Sequence, residues 1–171
     1  MSQLPLGDGY CFDTDVLVNL IRRYFDEVVF PDVRRDVEAL IDAGLVKCPD
    51  EVLEELKGIS TKAKDQDPVL PWAEAHAHIF VPLDAEQGSI VTEILRQHPK
   101  ASGYEDKRKP AHADVFLVAL AEVYGWCVVT CETPKAGSDK VPNLCDTRDI
   151  RSLDLRGFMK ERGWRYVREI G

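Results

Sequence analysis

The sequence predicts an α/β protein with a mainly parallel central sheet, and three observations lead to that class. Short apolar runs of the kind that form buried parallel strands occur at 10–13 and 126–130. Segments with helical periodicity alternate with such runs, as they do in βαβ units. With 171 residues, the chain has the length of one domain with a substantial core, so residues 1–171 are expected to form a single domain.

In the N-terminal half, two apolar runs are predicted as strands and three periodic segments as helices. Apolar side chains recur every three or four residues in the helices, Pro31 suits a helical first turn, and Gly44 suits a helix end. The first helix is expected to be capped by Thr14 or Asp15. The predicted elements are a strand at 10–13, a helix with its apolar stripe through Ile21, a helix at about 32–43, a strand at 45–49 and a helix at 50–57.

The C-terminal half alternates in the same way but contains the strongest loop signals. Residues 58–71, which lead into this half, are polar and broken and are expected to form a loop or short helix. The segment 98–110 is rich in proline, glycine and charge. Gly125 ends a long helix, and Ser152 or Asp154 can cap the last one. The predicted elements are a strand or extended segment at 79–83, helices at about 85–98 and 111–124, a strand at 126–130, a loop at 134–142, a short strand at 143–145, a helix at 154–162 and an edge strand at 164–170.

The charge balance limits how this chain can contact nucleic acid. The formal net charge is −8 at pH 7, so the surface as a whole does not attract phosphate, and contact needs a local basic patch or a bridging metal. Each candidate patch is otherwise an ordinary solvated run. The candidates are Arg34–Arg35, Lys57 with Lys62 and Lys64, and Lys107–Arg108–Lys109.

The cysteines and the apolar runs indicate a cytoplasmic protein. The five cysteines include no CxxC pair, so they are interpreted as small buried hydrophobes in a reducing compartment, not as disulfides or zinc ligands. No apolar stretch reaches the roughly 20 residues of a membrane span. The start of the chain, MSQLPLGDG, lacks the basic and apolar regions of a secretory signal, so none is expected.

Acidic residues recur where the predicted elements reach one edge of the sheet. Asp13 and Asp15 end the first strand, Asp114 opens the long helix, and Glu132 follows the next apolar strand. Ligands in open α/β sheets bind at the carboxyl ends of strands. Two carboxylates about 4 Å apart repel by roughly 4 kcal/mol at an effective dielectric of 20, so a cluster needs protons or a divalent cation. Oxygen ligands favour Mg²⁺ or Mn²⁺ over zinc.

Individually, these acids also have ordinary structural explanations. Asp114 would complement the dipole at the start of its helix. Glu55, within the segment VLEEL, would be one of several surface glutamates. The metal-site interpretation therefore depends on the acids acting together.

These segments resemble the PIN domain, the metal-dependent ribonuclease fold of VapC-type toxins and of RNA-processing nucleases. The resemblance spans nearly the whole chain, and the form VVTCETP…KVPNLC is closer to a less characterised bacterial PIN subfamily than to the standard VapC toxins. Its most specific part is an acid that opens a helix, then a glycine, then an apolar strand that ends in threonine plus an acid. The motifs are FDTDVLV (12–18), VLEEL (52–56), ADVFLVALAEVYGWCVVTCE (113–132) and VPNLCD (141–146).

The resemblance implies a three-layer α/β/α sandwich with an acidic catalytic metal site. Thr130 matches a hydroxyl that helps to organise the site. Asp15 stands where the family often has a small polar residue, so it is either a further ligand or a helix cap. Asp146 is either an auxiliary acid or a surface residue, and Glu132 replaces the aspartate of many PIN domains. The implied catalytic residues and metal ligands are Asp13, Glu55, Asp114 and Glu132.

The leading hypothesis is an endoribonuclease in which water activated by Mg²⁺ or Mn²⁺ attacks an RNA phosphodiester. Lys107–Arg108–Lys109, just upstream of Asp114, is its candidate phosphate-binding patch. A finer hypothesis makes the protein the toxin of a toxin–antitoxin pair. An antitoxin protein and a homodimer are partners that the resemblance alone suggests.

Two other functions stay open at this point. A non-catalytic PIN-like binding or interaction module would be compatible with the acidic charge and with Glu132. A haloacid-dehalogenase-like phosphatase is suggested by Asp13–Thr14–Asp15–Val16, which fits that family's DxDx[TV] opening with Asp13 as nucleophile. The chain after Thr130 is short for the further βα units which that family requires.

Overall fold

Five strands form the central sheet of the computed structural model, which describes residues 9–63, 66–102 and 112–168. The strands are β1 (Tyr10–Phe12), β2 (Val46–Pro49), β3 (Phe80–Val81), β4 (Cys127–Val129) and β5 (Ser152–Leu153). Their order in the sheet is β3–β2–β1–β4–β5, and every neighbouring pair is parallel. β1 therefore lies in the middle, and the carboxyl ends of the strands share one edge.

Helices cover both faces of this sheet, which makes the predicted three-layer α/β/α sandwich. In the described residues the α-helices are α1 (Thr14–Asn19), α2 (Val33–Asp42), α3 (Asp50–Lys62), α4 (Val69–Ala75), α5 (Ala85–Gln97), α6 (Ala113–Tyr124), α7 (Val141–Thr147) and α8 (Leu155–Glu161). Side chains of β1 alternate between the faces: Tyr10 and Phe12 join one buried cluster, and Cys11 joins the other. Helices α1 to α4 and α8 pack mainly on the first cluster, and α5 to α7 on the second.

The cap of α1 differs from the prediction. Asp13, and not Thr14 or Asp15, is the N-cap: its backbone is extended, and its carboxylate accepts the N–H of Thr14 at 2.7 Å. The strand ends at Phe12 and the helix begins at Thr14, so one residue makes the whole turn. A carboxylate at this turn is therefore held at the sheet edge by the backbone on both sides.

Elsewhere in the N-terminal half, α2 ends where the sequence predicted, whereas α3 is longer than predicted. Gly44 has a φ of 74°, a conformation that favours glycine, and it follows α2 as predicted. Helix α3 continues to Lys62, beyond the predicted end at 57. Helix α4 lies in and after the segment 58–71, which the sequence predicted as a loop or short helix.

Two strands predicted near the C-terminus are wrong. Residues 143–145 lie within α7, because Val141, Leu144 and Cys145 bury one helical face. The strand that pairs with β4 is β5 instead, with Leu153 opposite Val129. An edge strand was predicted at 164–170. The structure describes residues 164–168 of that segment, and they form no strand; most of their side chains are exposed. No helix within the described ranges is long and apolar enough to cross a membrane.

Candidate active site

Asp13 is buried at the carboxyl end of β1, and its carboxylate is held from two sides. It is 5% exposed, since it directly follows a fully buried apolar strand. Oδ1 accepts the N–H of Thr14 at 2.7 Å, and Oδ2 accepts the hydroxyl of Thr130 at 2.7 Å. The N–H of Asp13 donates to the carbonyl of Val129 at 2.9 Å. These bonds tie the end of β1 to the end of β4.

Thr130 supplies a fully buried hydroxyl at the end of β4. Its backbone N–H donates to the carbonyl of Leu153 at 3.0 Å, which anchors it to β5. Its hydroxyl donates to Asp13 and also accepts the N–H of Glu132 at 3.1 Å. The hydroxyl thus acts as donor and acceptor at once, which a valine of similar shape could not do.

Glu55 bridges the starts of α1 and α6. Its Oε2 accepts the hydroxyl of Thr14 at 2.5 Å, and its Oε1 accepts the N–H of Ala113 at 3.0 Å. Ala113 is the first residue of α6, and N–H groups at a helix start lack intrahelical acceptors. Glu55 therefore satisfies one of them and complements the helix dipole. It is half-buried and linked to two helices, unlike an ordinary surface glutamate.

Asp114 lies in the first turn of α6, and its pKa is raised to about 7. Burial is the largest cause, followed by the negative charges of Glu132, Glu55 and Asp15. Burial likewise raises the pKa of Asp13 to about 7, with the charges of Asp114 and Asp15 adding to it and the Thr130 hydroxyl opposing it. These carboxylates thus share one electrostatic environment. We call the group formed by Asp13, Asp15, Glu55, Asp114 and Glu132 the acidic edge.

Glu132 adds negative charge to the acidic edge and also accepts a backbone N–H at the start of α7. Its Oε2 accepts the N–H of Val141 at 2.9 Å, the first residue of α7. Its charge is the largest electrostatic cause of the raised pKa of Asp114. Its other oxygen makes no hydrogen bond or ion pair within the described part of the chain.

The remaining predicted residues divide between the acidic edge and the general surface. Asp15 is exposed on α1, but its charge raises the pKa of both Asp13 and Asp114. Asp146 is exposed on α7 and is not among the charges that most raise either pKa. Lys107–Arg108–Lys109 lies outside the described residues.

Residues in two of the basic patches that the sequence suggested form ion pairs with neighbouring acids. Arg35 contacts Asp32 at 2.7 Å, and Lys57 contacts Glu54 at 2.8 Å. Arg34 contacts Glu38 at 3.0 Å. These are ordinary exposed pairs, and Lys64 lies outside the described residues.

The acidic edge has the donor chemistry of a site for a hard divalent cation, since it presents only carboxylate oxygens. As the side chains stand, no group of three or more His, Cys, Asp or Glu residues in the described ranges could hold a metal ion. Glu55 uses both of its oxygens, and Glu132 uses one, to accept backbone or hydroxyl donors. Mg²⁺ commonly keeps several waters and takes one or two protein carboxylates. Asp13 and Asp114 fit that smaller role.

Two clefts adjoin the acidic edge and contain residues that the sequence did not single out. The first, about 340 Å³, is lined by Asp114 together with Lys100, His112 and Lys140. The second, about 540 Å³, includes Cys131, the residue after Thr130. Lys100 and Lys140 lie in polar segments far apart in the chain, so no local spacing could have associated them.

Comparison with protein families finds a match that covers most of the chain. Residues 10–166 match the family described as "Domain of unknown function (DUF4411)". No protein of curated function matches the chain.

Several solved structures share this fold at low sequence identity. VapBC2 from Rickettsia felis, bound to a DNA fragment from their promoter, matches with a TM-score of 0.56 and 15% identity over 85% of this chain and 97% of that chain. FitAcB from Neisseria gonorrhoeae gives 0.53 and 18% over 84% and 95%. DNA-bound VapBC from Salmonella typhimurium gives 0.51 and 17% over 85% and 97%. The fold is therefore PIN-like, as the sequence motifs indicated.

Proposed function

The chain belongs to the DUF4411 family, and from that premise we propose that it is a Mg²⁺- or Mn²⁺-dependent endoribonuclease. The observation that carries the proposal is the acidic edge, four of whose members approach one end of a parallel sheet from different parts of the chain. Asp13 follows β1, Glu132 follows β4, Glu55 lies on α3 and Asp114 on α6. That end is where open α/β sheets bind ligands. The PIN-like fold and the PIN motifs support an RNA phosphodiester as the substrate.

Asp13 and Asp114 are the proposed direct ligands of the cation. Asp13 is buried and Asp114 is half-buried, and each experiences the charge of other acids. A divalent cation would therefore relieve the repulsion that raises the pKa of Asp114. Glu55 and Glu132 add charge while one or both of their oxygens hold helix starts. When bound, the cation would supply an activated water and stabilise the charge that develops at phosphorus.

The protein's own groups orient these ligands and receive the substrate. The Thr130 hydroxyl and the Thr14 N–H hold the Asp13 carboxylate in one orientation. Glu55 positions the start of α6 and thereby Asp114. Lys100 and Lys140, in the cleft beside Asp114, are suited to contact substrate phosphates. Lys107–Arg108–Lys109 remains a predicted further phosphate patch.

The test is cleavage of labelled single-stranded RNA with Mn²⁺ or Mg²⁺ and with a chelator. We expect cleavage only with metal, and a loss of at least about 100-fold in rate for Asp13→Asn, since a misplaced cation forfeits several kcal/mol of transition-state stabilisation. Asp146→Asn, an exposed acid outside the acidic edge, is the matched control and should retain the rate. Full metal-dependent cleavage by Asp13→Asn would show that the site is assigned wrongly.

A finer proposal is that the enzyme is the toxin of a toxin–antitoxin pair. The structural neighbours named VapBC and FitAcB are complexes, and two of them were solved with DNA. We therefore propose an antitoxin as a partner, and a homodimer as the enzyme's own assembly. Expression in bacteria should arrest growth, and the Asp13→Asn variant should not. Normal growth with active wild-type protein would remove the toxin role and leave the nuclease role intact.

A non-catalytic PIN-like module is the second candidate, and one observation favours it. No three acidic, histidine or cysteine side chains in the described ranges are arranged to hold a metal. Calorimetric titration with Mn²⁺ decides between the two: binding that Asp114→Asn abolishes supports the enzyme, and no binding at millimolar metal supports the module. The phosphatase is less favoured, since the solved structures that share this fold are PIN-like. Trapping of an aspartyl-phosphate at Asp13 would restore it.

A further inference from the structure

A groove between α1 and α8 adjoins the acidic edge and has no role in the proposed chemistry. Its volume is about 540 Å³, within the usual range for a small-molecule site. Cys131 lies in its wall, and that residue directly follows Thr130, which holds Asp13. The side-chain amide of Asn19, also in the wall, donates to the carbonyl of Asp15 at 2.8 Å. The groove therefore lies next to the acidic edge.

The lining of this groove combines aromatic faces with polar donors. Trp164 is held in place by an edge-on contact with the core residue Phe158, with ring centroids 5.1 Å apart. Tyr24 and Met159 complete the apolar surface. The Tyr24 hydroxyl and the Trp164 indole N–H make no hydrogen bond within the described part of the chain. Fixed aromatic faces beside unused donors suit a flat ligand with hydrogen-bonding edges.

Two cations stand on the same side of this groove. Arg156 and Lys160 are four residues apart on α8, so they share a helix face. Neither forms an ion pair with any described residue, whereas Arg151 nearby pairs with Glu161. The one carboxylate of the lining, Asp154, is engaged in capping α8 through the N–H of Gly157 at 2.6 Å. In a chain of net charge −8, these two side chains give the groove a local positive charge that would attract an anion.

We propose that this groove binds an unpaired nucleobase of the RNA strand whose phosphodiester lies at the acidic edge. The proposal rests on the proposed ribonuclease function and adds to it the position of a base-binding subsite beside the cleaved bond. The base stacks on Trp164, and Arg156 and Lys160 contact the adjoining phosphates. Stacking platforms next to cations are how proteins hold single strands without reading much sequence.

The test is a double-mutant cycle of binding affinities in which one RNA base and one protein side chain are removed separately and together. Fluorescence anisotropy measures the affinity of labelled RNA for the Asp114→Asn protein, which should not cleave it. The RNA carries either an ordinary nucleotide or an abasic one at each position in turn. The second variant is Trp164→Leu in the same background, which keeps an apolar contact with Phe158 and removes the stacking face. Tyr166→Leu, which changes an aromatic residue outside the groove, is the matched control.

We expect Trp164→Leu to weaken RNA binding roughly tenfold, in the range for one stacked base, with circular dichroism unchanged. One abasic position should weaken binding to the Asp114→Asn protein by a similar factor and have little further effect in the Trp164→Leu variant. Arg156→Gln with Lys160→Gln should weaken binding and reduce its salt dependence. A blunt RNA duplex should bind less tightly than the single strand.

Other outcomes would overturn the proposal. Equal affinity of folded Trp164→Leu and its parent, or the same abasic loss in both, removes the base site while RNA cleavage by the wild type still stands. A Trp164→Leu variant that turns a dimer into a monomer, with RNA binding unchanged, would show that a second copy covers the groove. A wild-type protein that neither binds nor cleaves RNA defeats the proposed function, and this inference with it.

Discussion

The carboxylates at the two ends of β1 lie in opposite electrostatic environments. Near its amino end, Glu161 accepts the hydroxyl of Tyr10 at 2.6 Å and pairs with Arg151, and these contacts lower its pKa. At its carboxyl end, buried Asp13 and half-buried Asp114 lie among other acids, and the pKa of each is raised to about 7. In the described part of the chain, no lysine or arginine pairs with either of them.

This difference separates a structural acid from an acid kept for a ligand. The chain itself supplies a hydrogen-bond donor and a cation for Glu161, so the charge of this carboxylate is compensated within the protein. The carboxyl end is incomplete unless protons or a cation from solution join it. Clustered carboxylates are costly for folding, and perturbed pKa values of this kind concentrate at functional sites. Substitutions and pH changes at the two ends should show whether they differ in this way.

The largest expected effect follows from removing one charge at each end. Asp114→Asn should lower metal-dependent RNA cleavage by at least about 100-fold, yet raise the thermal midpoint of the metal-free protein at pH 8, because it removes a repelling charge. Glu161→Gln should leave cleavage unchanged and slightly lower the midpoint. Cleavage assays and thermal melts of the two variants measure both effects. A fall in midpoint for both variants would mean that the two ends do not differ.

The next effect is the pH dependence of stability without metal. A carboxyl whose folded pKa lies above its unfolded value holds its proton more tightly in the folded state, so its contribution is present at low pH and is lost as pH rises through the folded pKa. Asp13 and Asp114 should therefore make the chelated protein less stable at pH 8 than at pH 5, by about 2–4 kcal/mol in the free energy of unfolding.

Urea unfolding with a chelator at a series of pH values measures this loss. Saturating Mn²⁺ should restore stability at pH 8 and have much less effect at pH 5, where protons occupy the site. The doubly substituted Asp13→Asn, Asp114→Asn protein is the control and should show a flatter profile. A stability that rises from pH 5 to pH 8 in chelator would contradict the interpretation.

The smallest expected effect concerns Thr130, which organises the carboxyl end. Thr130→Val keeps the shape but leaves the N–H of Glu132 and one oxygen of Asp13 without their partner. We expect a loss of about 1–3 kcal/mol in the free energy of unfolding and a partial loss of cleavage. Thr130→Ser retains the hydroxyl and should stay closer to the wild type in both measurements. Equal behaviour of the two substitutions would mean that the hydroxyl is unimportant.

The elements that the sequence predicted correctly are those with strong local signals. Cys127–Val129 is an apolar run that is buried on both faces, and Gly125 ends α6 with a φ of 67°. The errors fall where local signals are weak. The segment 143–145 is short, and its helical character depends on burying Leu144 and Cys145 beneath α6. The strand Ser152–Leu153 forms because the exposed side of β4 needs backbone partners.

For the candidate site, the sequence by itself determined the inventory of acids and where each stands relative to a strand end or helix start. Apolar runs and helix-start positions are local properties, so the positions of Asp13, Asp114 and Glu132 along the chain suffice to associate them with one edge of the sheet. The distances between them are not local. Only the tertiary structure decided that Glu55 holds two helix starts and that Thr130 bonds to Asp13. It also decided that Trp164 and Cys131 share a groove, because such contacts join residues whose separation in the chain carries no periodic signal.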